Sequence, residues 1–200
     1  MKTPLAATAA LTLAVALVLA GCAGGTTAGG TMPGMDHGGS SSSATAPTAD
    51  ANEADLMFVS MMIPHHEQAI EMSDTLLSKS GIDERVTALA QQIKDAQTPE
   101  IQRMKGWLED WNAGAADMGG MDHGDGMMSD GDMQSLEQAS GAEAARLFIQ
   151  QMIDHHQGAI DMARQEQTDG QNSDAIALAT AIVEAQTSEI ATMKELLTEF

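Results

Sequence analysis

The chain has 200 residues, 9 Lys+Arg against 29 Asp+Glu for a formal net charge of -20, and a single Cys. This balance excludes a nucleic-acid partner, since no basic cluster exists to displace counterions from a phosphate backbone, and it leaves no disulfide framework. With no Tyr, three Phe and two Trp, packing falls to small aliphatics, while Met at 16 copies and His at six stand out from ordinary composition.

Lys2 precedes an uncharged run from Thr3 to Ala20 that closes in Leu19-Ala20-Gly21-Cys22. Its position at the N-terminus and its small-residue exit predict an export leader over residues 1–21 rather than a spanning helix. Leu-Ala-Gly-Cys resembles the bacterial lipobox, which implies cleavage before Cys22, acylation of that thiol and anchoring outside the cytoplasm, on the periplasmic or cell-surface side. Residues 22–52 are Gly, Ser, Thr, Ala and Pro with almost no aliphatic bulk, so they read as a disordered tether.

Two hairpins follow. Phe58, Met62, His65, Ala69, Met72 and Leu76 recur at helical spacing, as do Leu89, Ile93, Ala96, Glu100, Met104 and Leu108, giving a helical hairpin over 53–111. Pro64 and Pro99 fall inside these patterns, where each removes a backbone donor, so each helix is expected to kink or restart. A Gly/Met/Asp-rich crossover loop occupies 112–135, and a second hairpin 136–200. The hairpins are copies: Met62-Ile63, His65-His66, Ala69-Ile70 and Met72 recur 90 residues on as Met152-Ile153, His155-His156, Ala159-Ile160 and Met162. After one deleted residue, Ala96-Gln97-Thr98, Glu100-Ile101 and Met104-Lys105 recur as Ala185-Gln186-Thr187, Glu189-Ile190 and Met193-Lys194. Two such hairpins bury their stripes as an all-α four-helix bundle.

At about 100° per residue, His65 lies centrally on its stripe and His66 on the flank, pointing toward a neighbouring helix. Glu100 sits inside the second stripe, where an unpaired carboxylate would be costly. The pairs the duplication offers are His65 with Glu100 and His155 with Glu189. Bracing of each hairpin by such a bond is the structural alternative. Against it, two His-His pairs with methionines at three residues before and seven after the first His place imidazoles, thioethers and carboxylates around one core, a donor set for a soft or borderline metal. Most core methionines are read first as packing. Met32, Met35, Met118, Met121, Met127, Met128 and Met133 stand among Gly, Ser and Asp with no evident core to join. Gly34-Met35-Asp36-His37-Gly38 recurs as Gly120-Met121-Asp122-His123-Gly124, so Met35, His37, Met121 and His123 form candidate auxiliary loop sites for Cu(I); drift in a low-complexity linker is the alternative there. Di-iron chemistry is disfavoured because no Glu-x-x-His occurs; structural zinc would add thiolates; the Asp-rich loop lacks EF-hand order. No hydrolase constellation is present.

Phe58 to Met72, its copy Phe148 to Met162, and the two Gln-Thr-x-Glu-Ile-x-x-Met segments resemble the domain of unknown function 305 family over Ala54 to Phe200. The resemblance implies an exported ferritin-like four-helix domain, with copper binding and tolerance in some relatives. By position it carries over Met62, His65, His66, Met72, Glu100 and Met104, then Met152, His155, His156, Met162, Glu189 and Met193. Glu67 becomes Gln157 and Met61 becomes Gln151, so the halves need not bind equally. The expectation is a lipid-anchored copper-binding protein for sequestration, tolerance or hand-over to a copper-handling partner. Cu(I) is its main cargo, with Cu(II) or Ag(I) as others, and it has no enzymatic turnover. A non-metal interaction module braced by His-Glu pairs, and a copper-dependent redox enzyme, are the alternatives.

Overall fold

The computed structural model describes residues 50–113 and 126–199. The leader, Cys22, Met35, His37, Met121 and His123 lie outside the described residues. Five helices and no strand occur among those described: α1 (Glu53–Leu77), α2 (Glu84–Asp110), α3 (Asp130–Gln138), α4 (Gly141–Asp169) and α5 (Ser173–Leu197).

Each long helix starts where its sequence supplies an acceptor for orphan backbone donors. Asn52 and Asp55 form a reciprocal capping box at α1, while Asp83 caps α2 and Asn172 caps α5. Gly81, with φ +75, relieves the α1–α2 turn of a side chain in left-handed backbone. Pro64 and Pro99 stand within uninterrupted α1 and α2, so neither helix restarts. Packing of the apolar stripe outweighs the single backbone bond that each proline removes.

α1 packs on α2 and α4 on α5, and the two hairpins meet along α1 and α4. These two run antiparallel: Asn52 donates from Nδ2 to the Asp169 carbonyl at 2.8 Å, and Asn172 donates to the Asp50 carbonyl at 2.9 Å. Asp55, fully buried, accepts from the backbone N–H groups of Asn52, Gln171 and Asn172. One carboxylate thereby ties the start of α1 to the α4–α5 turn. Among the described residues no helix is long and apolar enough to cross a membrane.

The crossover segment is more structured at its end than a loop over 112–135 implies. α3 begins at Asp130 behind a Ser129/Asp132 capping box, and its Leu136 is fully buried in the core. Gln151 donates to the Asp132 carbonyl and Lys79 to the Glu137 carbonyl, fastening α3 across α1 and α4. Met128 and Met133 pack against the core cluster that Leu136 enters, correcting the expectation that they have no core to join. Gln68 on α1 both donates to the Met128 carbonyl and accepts its N–H, at 2.9 and 2.7 Å. Gly126, at φ +97, lies so close to α4 that a Cβ would come within 2.8 Å of the Gly158 Cα. Residues 126–128 thus seat on α1 and α4, one turn beyond the histidines of each.

The apolar core is divided in two. One part holds Met72, Leu76, Val86, Ile93, Leu136, Phe148, Met152 and Met193; the other holds Phe58, Val59, Met62, Met104, Ala163, Ala179 and Ile182. On every long helix the break falls at polar residues: His65-His66, Gln97 with Glu100, His155-His156, and Gln186 with Glu189. Each fully buried Met, Leu or Phe contributes roughly 1.5–3 kcal/mol, so the two apolar parts carry the stability that a polar layer between them lacks.

Candidate metal centre

The duplicated His-His pairs meet at the α1–α4 contact. His65 and His155 face one another with ring centroids 3.7 Å apart and planes tilted by 37°. His66 and His156, one residue and about 100° further around each helix, turn instead to the partner helix within their own hairpin. His66 Nε2 lies 2.8 Å from Glu100 Oε2, and His156 Nε2 lies 2.7 Å from Glu189 Oε2. The expected pairs are therefore corrected: the carboxylates hold the second histidine of each pair, and the first histidines hold each other. His65 is central on the buried stripe, but that stripe faces α4, whereas the flank carrying His66 faces α2.

All four imidazoles are buried, at 1% exposure or less. A carboxylate only accepts, so His66 and His156 present Nε2–H to it, and in the neutral ring this leaves Nδ1 with a free lone pair. Neither Nδ1 has a hydrogen-bond partner, nor does either ring nitrogen of His65 or His155. Six buried imidazole nitrogens thus go unsatisfied in one layer, at a cost of about 1–3 kcal/mol each where a polar atom loses water without replacement. Burial, then the neighbouring His66 and His156, pushes the His65 pKa down to about 3, and burial followed by His65 holds His155 well below the ordinary value. Neutral imidazole is the ligand form. The carboxylate behind His66 and His156 is the supporting contact that metal-ligating histidines usually have, fixing tautomer and ring orientation.

The donor set therefore fits a soft or borderline ion, although the rings are not arranged around one. Among the described residues, no three His, Cys, Asp or Glu side chains are already disposed to hold a single ion. The His65–His155 contact at 3.7 Å is a packed ring contact, so loading requires these rings to turn.

The expected methionines divide by position. Met62 and Met104 are fully buried on one side of the histidine layer, and Met72, Met152 and Met193 on the other. Met162 opens instead into a groove with Met57, Met61 and Glu166, six residues past His156 or about 9 Å along the helix. The halves also differ at their carboxylates: the Glu189 side chain is 11% exposed and also accepts from Gln92 at 3.4 Å, while the Glu100 side chain is 22% exposed.

Sequence reasoning passed over Gln97 and Gln186. Both are buried one turn before the carboxylates, with carbonyl oxygens that lack partners. Their signal was present, since each heads a duplicated Gln-Thr-x-Glu segment. Gln68 and the buried Asp55–Glu166 pair were also missed; neither recurs in the second half, where Gly158 replaces Gln68 and Ala145 replaces Asp55.

The family model for the domain of unknown function DUF305 matches residues 55–197, and the chain belongs to that family. A DUF305 protein of Streptomyces coelicolor described as secreted is 35% identical, with 73% of this chain and 93% of that chain covered and a TM-score of 0.68. A DUF305 fragment from Deinococcus radiodurans is 28% identical over 75% of this chain and 99% of its own, with a TM-score of 0.66. CopM in its Cu(I)-bound form is 32% identical over 72% of this chain and 96% of its own, with a TM-score of 0.61, and that protein has also been solved with Cu(II) and with Ag bound. No curated protein matches the chain.

Proposed function

We propose, from membership of the DUF305 family and the chemistry of the histidine layer, that this chain is an extracytoplasmic copper-binding protein. It sequesters monovalent copper or hands it on, without turnover. The observation that carries this reading is the layer of four buried histidines. Their six partnerless nitrogens are costly to stability, and an ion would repay that cost. Imidazole with flanking thioethers favours Cu(I) and Ag(I) over magnesium or calcium. The copper- and silver-bound forms of CopM support it by likeness.

Export follows from the leader over 1–21, and anchoring from lipidation of Cys22. The Met-Asp-His-Gly segments at Met35, His37, Met121 and His123 serve as capture arms that exchange ions with a copper-handling partner. The acidic surface concentrates cations near both.

A bracing role is favoured by one observation: the His66–Glu100 and His156–Glu189 bonds tie α1 to α2 and α4 to α5. It leaves the facing His65 and His155 unexplained. Anaerobic Cu(I) titration against a competing chelator separates the readings. The wild type binds tightly, and the His65→Ala, His66→Ala, His155→Ala, His156→Ala variant loses the tightest equivalents. Unchanged stoichiometry and affinity in that variant would remove the histidine layer from the function. Replacing Cys22 by Ala, with retention of the protein in the membrane fraction, would overturn the lipid anchor.

A further inference from the structure

At the end of the bundle where α1 starts and α4 finishes, a groove of about 50 Å³ is lined by Ala54, Met57, Phe58, Met61, Met162 and Glu166, with Gln165 at its rim. One water-sized particle needs roughly 10–15 Å³ of such space, so a partly dehydrated monovalent ion fits. The three methionines are half-buried rather than enclosed, which leaves their thioethers in reach of an ion from solvent.

Glu166 makes this more than a gap between helices. It is only 1% exposed, no donor from another residue reaches its carboxyl oxygens, and its neighbour is a second acid, Asp55. Asp55 lies beside it, but Asp55 already accepts three backbone N–H bonds and is committed to holding the α4–α5 turn. The carboxyl of Glu166 occupies space that a side chain at position 170 would take: a Cβ on Gly170 would meet its Oε1 at 2.3 Å. Two acidic side chains can share one buried spot only with a proton between them, and a bound monovalent cation would take that proton's place.

The duplication supplies an internal control. In the 90-residue register Met57 corresponds to Leu147, Met61 to Gln151, Met162 to Met72 and Glu166 to Leu76. The equivalent place at the other end is closed: Leu136 of α3 is fully buried there with Phe148 and Leu76, and Gln151 donates to the Asp132 carbonyl. Packing two hairpins therefore needs neither three thioethers nor a buried carboxyl at this position, and only the end that carries them stays open. Thioethers select soft monovalent ions and a carboxylate supplies the balancing charge.

We propose that Met57, Met61, Met162 and Glu166 form a second soft-cation site, for Ag(I) or Cu(I), at the α1–α4 end of the bundle and separate from the histidine layer. It does not depend on the histidine layer binding metal. The test is Ag(I) titration of the full chain carrying 13C-methyl methionine, with imidazole signals followed in the same sample so that the two sites report independently. The expected result is joint movement of the Met57, Met61 and Met162 methyl signals. The Met57→Leu, Met61→Leu, Met162→Leu variant, which nearly conserves volume, binds one fewer equivalent. Glu166→Gln weakens this site about tenfold while the imidazole response stays unchanged. Methyl signals that stay still after the imidazoles have responded, or unchanged stoichiometry in the leucine variant, would overturn the proposal. Should the leucine variant fail to fold, the wild-type methyl signals and Glu166→Gln decide alone.

Discussion

Replacing the facing histidines by leucine should flatten the acid side of the stability profile, and the size of the effect follows from their burial. His65 is fully buried with its pKa pushed down to about 3, and His155 is held well below its ordinary value. Below the unfolded value of about 6.5, the unfolded chain takes up protons that the folded chain refuses, so folding stability falls as pH falls. The slope is about 1.4 kcal/mol per pH unit for each histidine. Between pH 7.5 and 5.0 His65 alone costs roughly 2 kcal/mol, and His155 adds a cost of the same sign, against a typical 5–15 kcal/mol. Glu166 runs the other way: its pKa, raised to about 8 by burial and then by Asp55, favours the folded state as pH falls through that value. Its contribution cancels when wild type is compared with His65→Leu, His155→Leu. Urea denaturation of metal-free protein at pH 7.5, 6.5, 5.5 and 5.0 is the assay. Above pH 6.5 the variant should be at least as stable as wild type, because four partnerless nitrogens are removed. Its advantage should then grow by about 2 kcal/mol or more between pH 7.5 and 5.0. Parallel profiles for the two proteins would refute the argument that these rings are neutral and desolvated.

Gly126→Ala should destabilise by about 1–3 kcal/mol, since a Cβ meets the Gly158 backbone and φ is +97. Gly106→Ala, where nothing lies within 4 Å, should be neutral or stabilising by about 0.5–1 kcal/mol; equal melting shifts for the two would contradict the seating of the crossover on α4. Glu189→Gln should cost more stability than Glu100→Gln, by about 1 kcal/mol, because Glu189 is the more buried and has the additional Gln92 contact; chemical denaturation at pH 7 reads the difference. Asp55→Ala should cost about 3 kcal/mol by freeing three backbone donors. A loss under 1 kcal/mol would mean that water replaces this carboxylate freely.

The duplication was readable in residues because it repeats chemistry at fixed spacing, and the two hairpins and their helical stripes came with it. What periodicity could not supply is which neighbour each face meets. His65 was correctly placed at the centre of a buried stripe, yet its partner is His155 across the hairpin contact, and Glu100 goes to His66. One helix records the direction of a side chain, while the identity of the facing helix depends on how two hairpins dock. The same gap explains Met128 and Met133. Their local surroundings are polar and Gly-rich, but α3 is drawn onto the core by Leu136, a single apolar residue whose pull does not show as a period. Met162 was grouped with the histidines because its motif position matches Met72, but the groove it lines exists only at the end that α3 does not cover.

The most direct test of the histidine layer is a long-range proton–nitrogen correlation spectrum of the imidazoles as Ag(I) or Cu(I) is added anaerobically. A metal-binding layer requires that Nδ1 of His66 and His156 changes shift sharply while Nε2 keeps its proton toward Glu100 and Glu189, with His65 and His155 responding together at the same equivalents. Imidazole nitrogens unmoved by excess ion, with the metal taken up elsewhere or not at all, would contradict it.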